Sequence, residues 1–186
     1  MASSSTSGRE RLLATARALF LERGAANVGI NEVTDTAGVA RMTLYNNFPS
    51  KAALTDAVYE TMASEVLAEL AAMPRARTEQ ARVLALFDFF ARRRSEPHFR
   101  GCRFVHASHQ APGAESSVRA IARTYKRALR THILGLLDTA RPGRSDLADQ
   151  LLLLLDGAVT EAYLEGVAAP AKAAQRAAVT LLHSAR

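Results

Sequence analysis

The sequence predicts an all-α protein of about nine helices. Three observations carry this. Ala and Leu dominate while β-branched residues are thin, apolar residues recur at helical spacing along most of the chain, and Gly and Pro are sparse, 10 and 6 among 186 residues. No stretch reads as a convincing strand, and no internal repeat is visible. With 48% hydrophobic and 23% charged residues the composition is globular, which excludes a disordered chain. The densest apolar run, Leu151 to Leu155, is far shorter than the ~18–20 residues needed to cross a bilayer. Cys102 is the single cysteine, so an intrachain disulfide framework and a four-cysteine metal site are excluded.

Residues 1–8 are polar and uncharged and lack the charged and apolar regions of a signal peptide. They are expected to form a disordered tail, and the protein is expected in the cytoplasm. Arg9 to Arg23 has a helical period, with Leu12, Leu13, Ala16, Leu19 and Phe20 on one face and Gly24 as the stop. A short segment carries Ile30, Val33 and Ala37, and Gly38 breaks it. Another carries Met42, Leu44, Tyr45 and Phe48, and Pro49 ends it. Ser50 is placed to cap a long amphipathic stretch from Lys51 to Met73. Pro74 stops that stretch, and Arg75 to Thr78 reads as a loop. Further helices are expected over Glu79 to Arg94, Arg103 to Gln110 and Glu115 to Thr139, the last after the turn signal Pro112-Gly113. Ser145 is expected to cap a helix reaching roughly Gly166, and Pro170 to start the final one.

The segment Gly24 to Lys51 has the organisation of a helix-turn-helix. Small residues at Ala37 and Gly38 allow close approach and a sharp turn, and Val39 and Leu44 pin the second helix on the first. Such a second helix can lie in the major groove with its N-terminal residues at base edges.

The run Val33-Thr-Asp-Thr-Ala-Gly38-Val39-Ala-Arg-Met-Thr43-Leu-Tyr45-Asn-Asn-Phe48-Pro-Ser50-Lys51-Ala-Ala-Leu54 resembles the DNA-binding domain of the TetR family of bacterial transcriptional regulators. Ala16-Arg-Ala-Leu19-Phe20-Leu-Glu-Arg-Gly24 resembles that family's first helix. The resemblance implies a nine-helix homodimer with a helix-turn-helix DNA-binding domain over residues 9–56. Residues 57–186 would then form an effector-binding and dimerising body. Tyr45 and Lys51 match phosphate contacts, and Thr43 matches a contact to backbone or a thymine methyl. Arg41 and Met42 match the variable base-reading positions. Asn46 and Asn47 match positions that touch base edges or phosphate, and Asn31 matches a backbone contact. Several positions depart from the family pattern: Asn47 replaces a frequent His, Met42 a frequent Gly, Pro or Ser, and Ala52 a frequent Glu. Thr34 stands where Ala is usual on the packing face, and Gly29 where Ser or Thr usually caps the second helix.

The net charge is +6, which permits a polyanion partner without requiring one. Residues 1–51 carry six basic and four acidic side chains, hence +2, whereas residues 119–144 carry seven and one, hence +6. Arg119, Arg123, Arg127 and Arg130 share one face of their helix, and a solvated face is the expected reading.

In the body, the resemblance implies a cavity for a small, mostly apolar effector. Its candidate lining is Met62, Phe87, Phe90, Cys102, Phe104, His106, Tyr125, Leu129 and Ile133. Taken singly, each of these reads equally as core. His98, Cys102, His106 and His109 have residue types that bind transition metals, but Pro97 and Gly101 interrupt any helix that would align them. No metal or cofactor is expected, and Cys102 is expected as a buried structural thiol. Leu147, Leu151, Leu154, Ala158 and Ala162, with Ala174, Ala177, Ala178, Leu181 and Leu182, form two stripes of small and apolar residues. Internal core accounts for them equally, and the resemblance assigns them to a dimer interface.

The expected function is a ligand-responsive transcriptional regulator, a repressor released from a pseudo-palindromic double-stranded DNA operator by a small molecule. Ligand binding would tilt the helix beginning at Lys51 and change the spacing of the two reading heads. No membrane partner is expected. An activator or a ligand-independent DNA binder is one alternative, and a metal-binding helical bundle is another. No Ser/His/Asp set, paired-carboxylate motif or phosphate loop stands out, so an enzyme is not expected.

Overall fold

Nine α-helices and one 3-10 turn make up the described residues, 7–110 and 116–184 of a computed structural model, and no strand occurs among them. In chain order these are α1 (Gly8–Arg23), the 3-10 turn (Ala25–Asn27), α2 (Ile30–Ala37), α3 (Arg41–Asn47), α4 (Lys51–Ala71) and α5 (Glu79–Arg93). Then follow α6 (Arg103–Gln110), α7 (Ser117–Leu136), α8 (Arg144–Glu165) and α9 (Ala169–Ser184). This is the all-α architecture that the sequence predicts.

Several helix ends differ from expectation for identifiable reasons. Ser7 caps α1 and Gly8 opens it, so neither lies in a tail. The Ser7 hydroxyl accepts from the Glu10 amide at 3.2 Å, and the Glu10 carboxylate accepts from the Ser7 amide at 2.7 Å, a reciprocal capping box. Residues 1–6 lie outside the described residues, as do Pro112, Gly113 and Glu115. Thr78 is the cap of α5, its hydroxyl accepting from the Ala81 amide. Gly143, in the left-handed conformation, precedes α8. Ser145 therefore lies inside the first turn of that helix, and its hydroxyl accepts from Arg130 at 2.8 Å. Ser50 caps α4 as expected, accepting from the Ala53 amide at 3.1 Å.

The chain divides into two compact units. The first comprises the described residues up to Ser64 and within Phe104–Ala122, and the second comprises Glu65–Arg103 with Arg123 onward. In the first, α1, α2 and α3 pack together around Leu12, Ala16, Phe20, Val33 and Leu44, all buried. In the second, α5, α8 and α9 pack on one another. Ion pairs of two buried arginines tie this unit together. Glu79 accepts from the Nε of Arg141 at 2.8 Å and from the Asp138 amide at 2.8 Å, and Arg141 also donates to the Leu182 carbonyl at 3.1 Å. Arg82, buried, donates to Asp138 at 2.6 Å and to the Leu136 carbonyl at 2.7 Å.

Leu147, Leu151, Ala158 and Ala162 of α8 and Ala174, Ala178 and Leu182 of α9 are buried within this one chain, while Leu154 and Leu181 are half-buried. The small residues let α8 and α9 approach each other within the chain, while Leu154, Leu181 and the exposed Ala177 keep surface open.

Candidate nucleic-acid interface

The first unit builds a helix-turn-helix from local chemistry. Gly29 precedes α2 without a side-chain cap. Thr34, buried on the packing face, satisfies its hydroxyl by donating to the Asn31 carbonyl at 2.8 Å, so the unusual residue leaves no unpaired polar group. Gly38 terminates α2 at φ 62° and ψ 41°, donating to the carbonyls of Asp35 and Thr34. Val39 also donates to the Thr34 carbonyl, at 3.1 Å. This left-handed stop turns the chain into α3 without strain, which only glycine does readily.

α3 is anchored by its inner side and open on its outer side. Leu44 and Phe48 are buried, and the Arg9 guanidinium lies 5.2 Å from the Phe48 ring centre. Arg41, Met42, Tyr45, Asn46 and Asn47 are exposed; Met42 keeps 66% of its surface in water, unusual for so apolar a side chain. The Arg41 guanidinium lies over the Tyr45 ring at 5.6 Å and reaches its hydroxyl at 3.5 Å. That contact pre-positions a cation and a hydroxyl on one turn of the exposed face. Thr43 is half-buried. Asn47 donates its amide to the Thr43 carbonyl at 2.8 Å and is thereby held to its own helix. Asn31 is exposed near the start of α2. Lys51, at the start of α4, donates to the Ala26 carbonyl at 3.3 Å. The eight residues that the sequence singled out all belong to the first unit.

The candidate effector lining behaves differently. Met62, Phe104 and His106 belong to the first unit, and Phe87, Phe90, Cys102, Tyr125, Leu129 and Ile133 to the second. Met62, Phe87, Phe104, Tyr125, Leu129 and Ile133 are buried as core, with Tyr59 edge-on to Phe104 at 6.5 Å. Burial, helped by nearby Cys102, pushes the Tyr125 phenol well above its ordinary range. Cys102 is half-buried rather than buried, and His106 contacts the Gln110 amide nitrogen at 3.1 Å. None of the nine lines the cavity beside Lys51, the one beside His132 or the one beside Lys172. His98 sits in a turn at φ 58° and α6 begins only at Arg103, so the four candidate metal ligands share no helix. Of the α7 arginines, Arg123 and Arg127 are exposed, whereas Arg130 pairs with Asp149 of α8.

This arrangement, a glycine-terminated α2 and an α3 buried on one side and bare on the other, defines a helix-turn-helix protein. Residues 12–58 match the family described as bacterial regulatory proteins, tetR family. The fold is similar to that of a TetR-family transcriptional regulator from Streptomyces coelicolor, with TM-score 0.86 and 26% identity over 96% of this chain and 95% of that one. A helix-turn-helix transcriptional regulator of Mycobacterium tuberculosis is 44% identical over 48 residues, which are 26% of this chain and 24% of that protein. The transcriptional activator FasR of Mycolicibacterium smegmatis is 34% identical over 86 residues, 44% of this chain and 39% of that one. The matched part of this chain thus spans only a fraction of each curated relative. Among the described residues, no helix is long and apolar enough to cross a membrane.

Proposed function

We propose that the protein is a cytoplasmic, homodimeric, DNA-binding transcriptional regulator, a repressor whose hold on its operator is released by a small molecule. The observation that carries this reading is the outer face of α3, where Arg41, Met42, Tyr45 and Asn46 are bare while Leu44 fixes the helix from beneath. Arg41 and Met42 read base edges from the start of the helix. Tyr45 and Lys51 hold phosphates and so set register. Asn31, Thr43, Asn46 and Asn47 complete the contact surface. Lys51 exchanges its long bond to the Ala26 carbonyl for a charge-assisted bond to a phosphate.

Dimerisation supports two-fold reading of a pseudo-palindrome. Leu153, 72% exposed, and Leu164, 66% exposed, stand three helical turns apart on one side of α8, with Gly157 and Thr160 exposed between them. We assign this bare stripe to the subunit contact. Leu164→Glu is expected to shift the sedimentation profile from dimer to monomer, since covering each leucine contributes about 1.5–3 kcal/mol. An unchanged dimer would move the interface elsewhere.

The functional test is fluorescence anisotropy with duplex DNA from beside the protein's own gene, against a scrambled duplex, across a salt series. Selective binding that weakens with salt is expected. Arg41→Ala is expected to lose about 1–3 kcal/mol and to relax selectivity, while Tyr45→Phe weakens binding to all sequences alike. Full selectivity in Arg41→Ala would sink the assignment of the reading helix. Activation is a second reading, favoured by the resemblance to the activator FasR, and a transcription assay on the same duplex separates the two.

A further inference from the structure

A cavity of about 340 Å³ lies entirely within the first unit, and Lys51 is part of its wall. Its volume falls within the range of small-molecule sites. Four alanines form much of its apolar wall: Ala25 and Ala26 from the 3-10 turn, Ala52 from α4 and Ala107 from α6, with the Tyr59 ring and Val118 adding larger apolar surface. Alanines leave the space open because no longer side chain fills it.

The polar groups around this cavity are unevenly occupied. Thr55 donates to the Lys51 carbonyl, and Ser116 accepts from the Arg119 amide. Asp56 accepts from the Ser117 hydroxyl at 2.7 Å and so already serves the start of α7. Lys51 is less committed, holding only the Ala26 carbonyl at 3.3 Å. The Gln110 carboxamide oxygen is buried without a hydrogen-bond partner. The first turns of both α4 and α7 border the cavity, and the first turn of α4 holds no acidic residue. Two helix N-termini and one lightly bonded ammonium together make the cavity favourable to a single negative charge. The Asp56 carboxylate disfavours a second one.

We propose that this cavity is an effector site for a small monocarboxylic acid with an apolar body, whose carboxylate takes Lys51 in competition with a DNA phosphate. The proposal rests on the reading of the protein as a DNA-binding regulator. The apolar body lies against the alanines and Tyr59. The site also touches the machinery of the reading head at the 3-10 turn that joins α1 to α2. Gln110 fixes that turn by occupying the space beside Gly24, where a Cβ would stand 2.3 Å from its carboxamide oxygen. Acid and DNA therefore weaken each other reciprocally.

The test uses the full chain with ¹³C-labelled alanine methyl groups, titrated with phenylacetate, benzoate and hexanoate at constant ionic strength. Benzyl alcohol and benzylamine are the neutral and cationic controls. At least one acid is expected to shift the methyl signals of Ala25, Ala26, Ala52 and Ala107 in a saturable way, and neither control to match it. Plugging the cavity with Ala52→Phe or, independently, Ser117→Phe is expected to weaken the acid about tenfold or more. The same acid is expected to lower affinity for the selected duplex about fivefold or more, and the ratio of affinities with and without acid to return to one in either plugged variant. The proposal is overturned if no acid shifts these methyls up to about 10 mM, where even a millimolar complex is nearly saturated. It is also overturned if benzylamine binds as well, or if the methyls shift while DNA affinity stays constant. Failure of the underlying reading looks different: the acid-free protein would not distinguish the selected duplex from the scrambled one, whatever the methyls do.

Discussion

The two units use their polar side chains in opposite ways. In the first, most bonds are local: Ser7 with Glu10, Thr34 to Asn31, Asn47 to Thr43, Ser50 with Ala53, and Thr55 to Lys51. In the second, they bridge distant segments: Glu79 with Arg141, 62 residues apart, Arg82 with Asp138, Lys126 with Asp156, Arg130 with Asp149, and Gln175 with Asp88. Local bonding fixes short helices without using their outward side chains, which is what a reading surface requires. Long-range pairing fixes long helices against one another and leaves less of their polar surface available.

The contrast is tested most sharply by removing one member of each kind. Glu79 is only 9% exposed and answers two guanidinium contacts of Arg141 and the Asp138 amide. Glu79→Gln takes the carboxylate charge away from buried Arg141, and a loss of about 3–5 kcal/mol in unfolding free energy is expected from denaturant titration. Gly38→Ala is expected to lose less, about 1–2 kcal/mol, because its Cβ would meet nothing within 4 Å and only the left-handed φ of 62° is strained. Hydrogen exchange locates the two effects, in α5, α7 and α9 for Glu79→Gln and in α2 and α3 for Gly38→Ala. If Glu79→Gln proves the milder change, the second unit is not held by its distant pairs and the contrast collapses.

The same contrast explains what could be read in the sequence. The signals for α2, Gly38, α3 and the Ser50 cap lie within a few residues of the groups they act on. The helices and turn of the reading head were therefore legible from spacing alone. The bounds of α6 were legible for the same reason. The Ser7–Glu10 capping box was equally local and was missed, because Ser7 closes a run of small polar residues that reads as a tail. Other features had no local signature. The partner of Glu79 is 62 residues away, and nothing near Ala174 or Ala178 says whether a small-residue stripe meets α8 of its own chain or another subunit. Of the residues expected around an effector, Met62, Phe87, Phe104, Tyr125, Leu129 and Ile133 are buried, and burial alone does not separate a pocket wall from core. The cavity opens where alanines converge from three segments, and a deficit of side-chain volume leaves no periodic mark. Lys51 was legible as a charge at the start of a helix, but its bond to Ala26 was not.

Acidification offers the finest test of how the second unit is held, because two of its groups titrate in separate windows. Burial pushes half-buried His132 below its ordinary value of 6.5. The unfolded chain then binds the proton more readily than the folded one, so stability falls as pH drops below about 6.5 and levels off once the folded pKa is passed. Glu79 is held below its ordinary value of 4.5, first by its hydrogen bond from Arg141. Its stabilisation is complete above that value and is lost as pH falls through the folded pKa. Urea midpoints measured from pH 7.5 to pH 3 are therefore expected to decline in two stages, the upper one the smaller. His132→Gln removes the upper stage and leaves the lower one, and Glu79→Gln shrinks the lower stage while keeping the upper, with Asp149, held below its ordinary value by its bond from Arg130, accounting for what remains. An upper stage that persists in His132→Gln would mean that another group titrates there. The imidazole would then be as well solvated in the fold as in the unfolded chain, contrary to its half-buried place on α7.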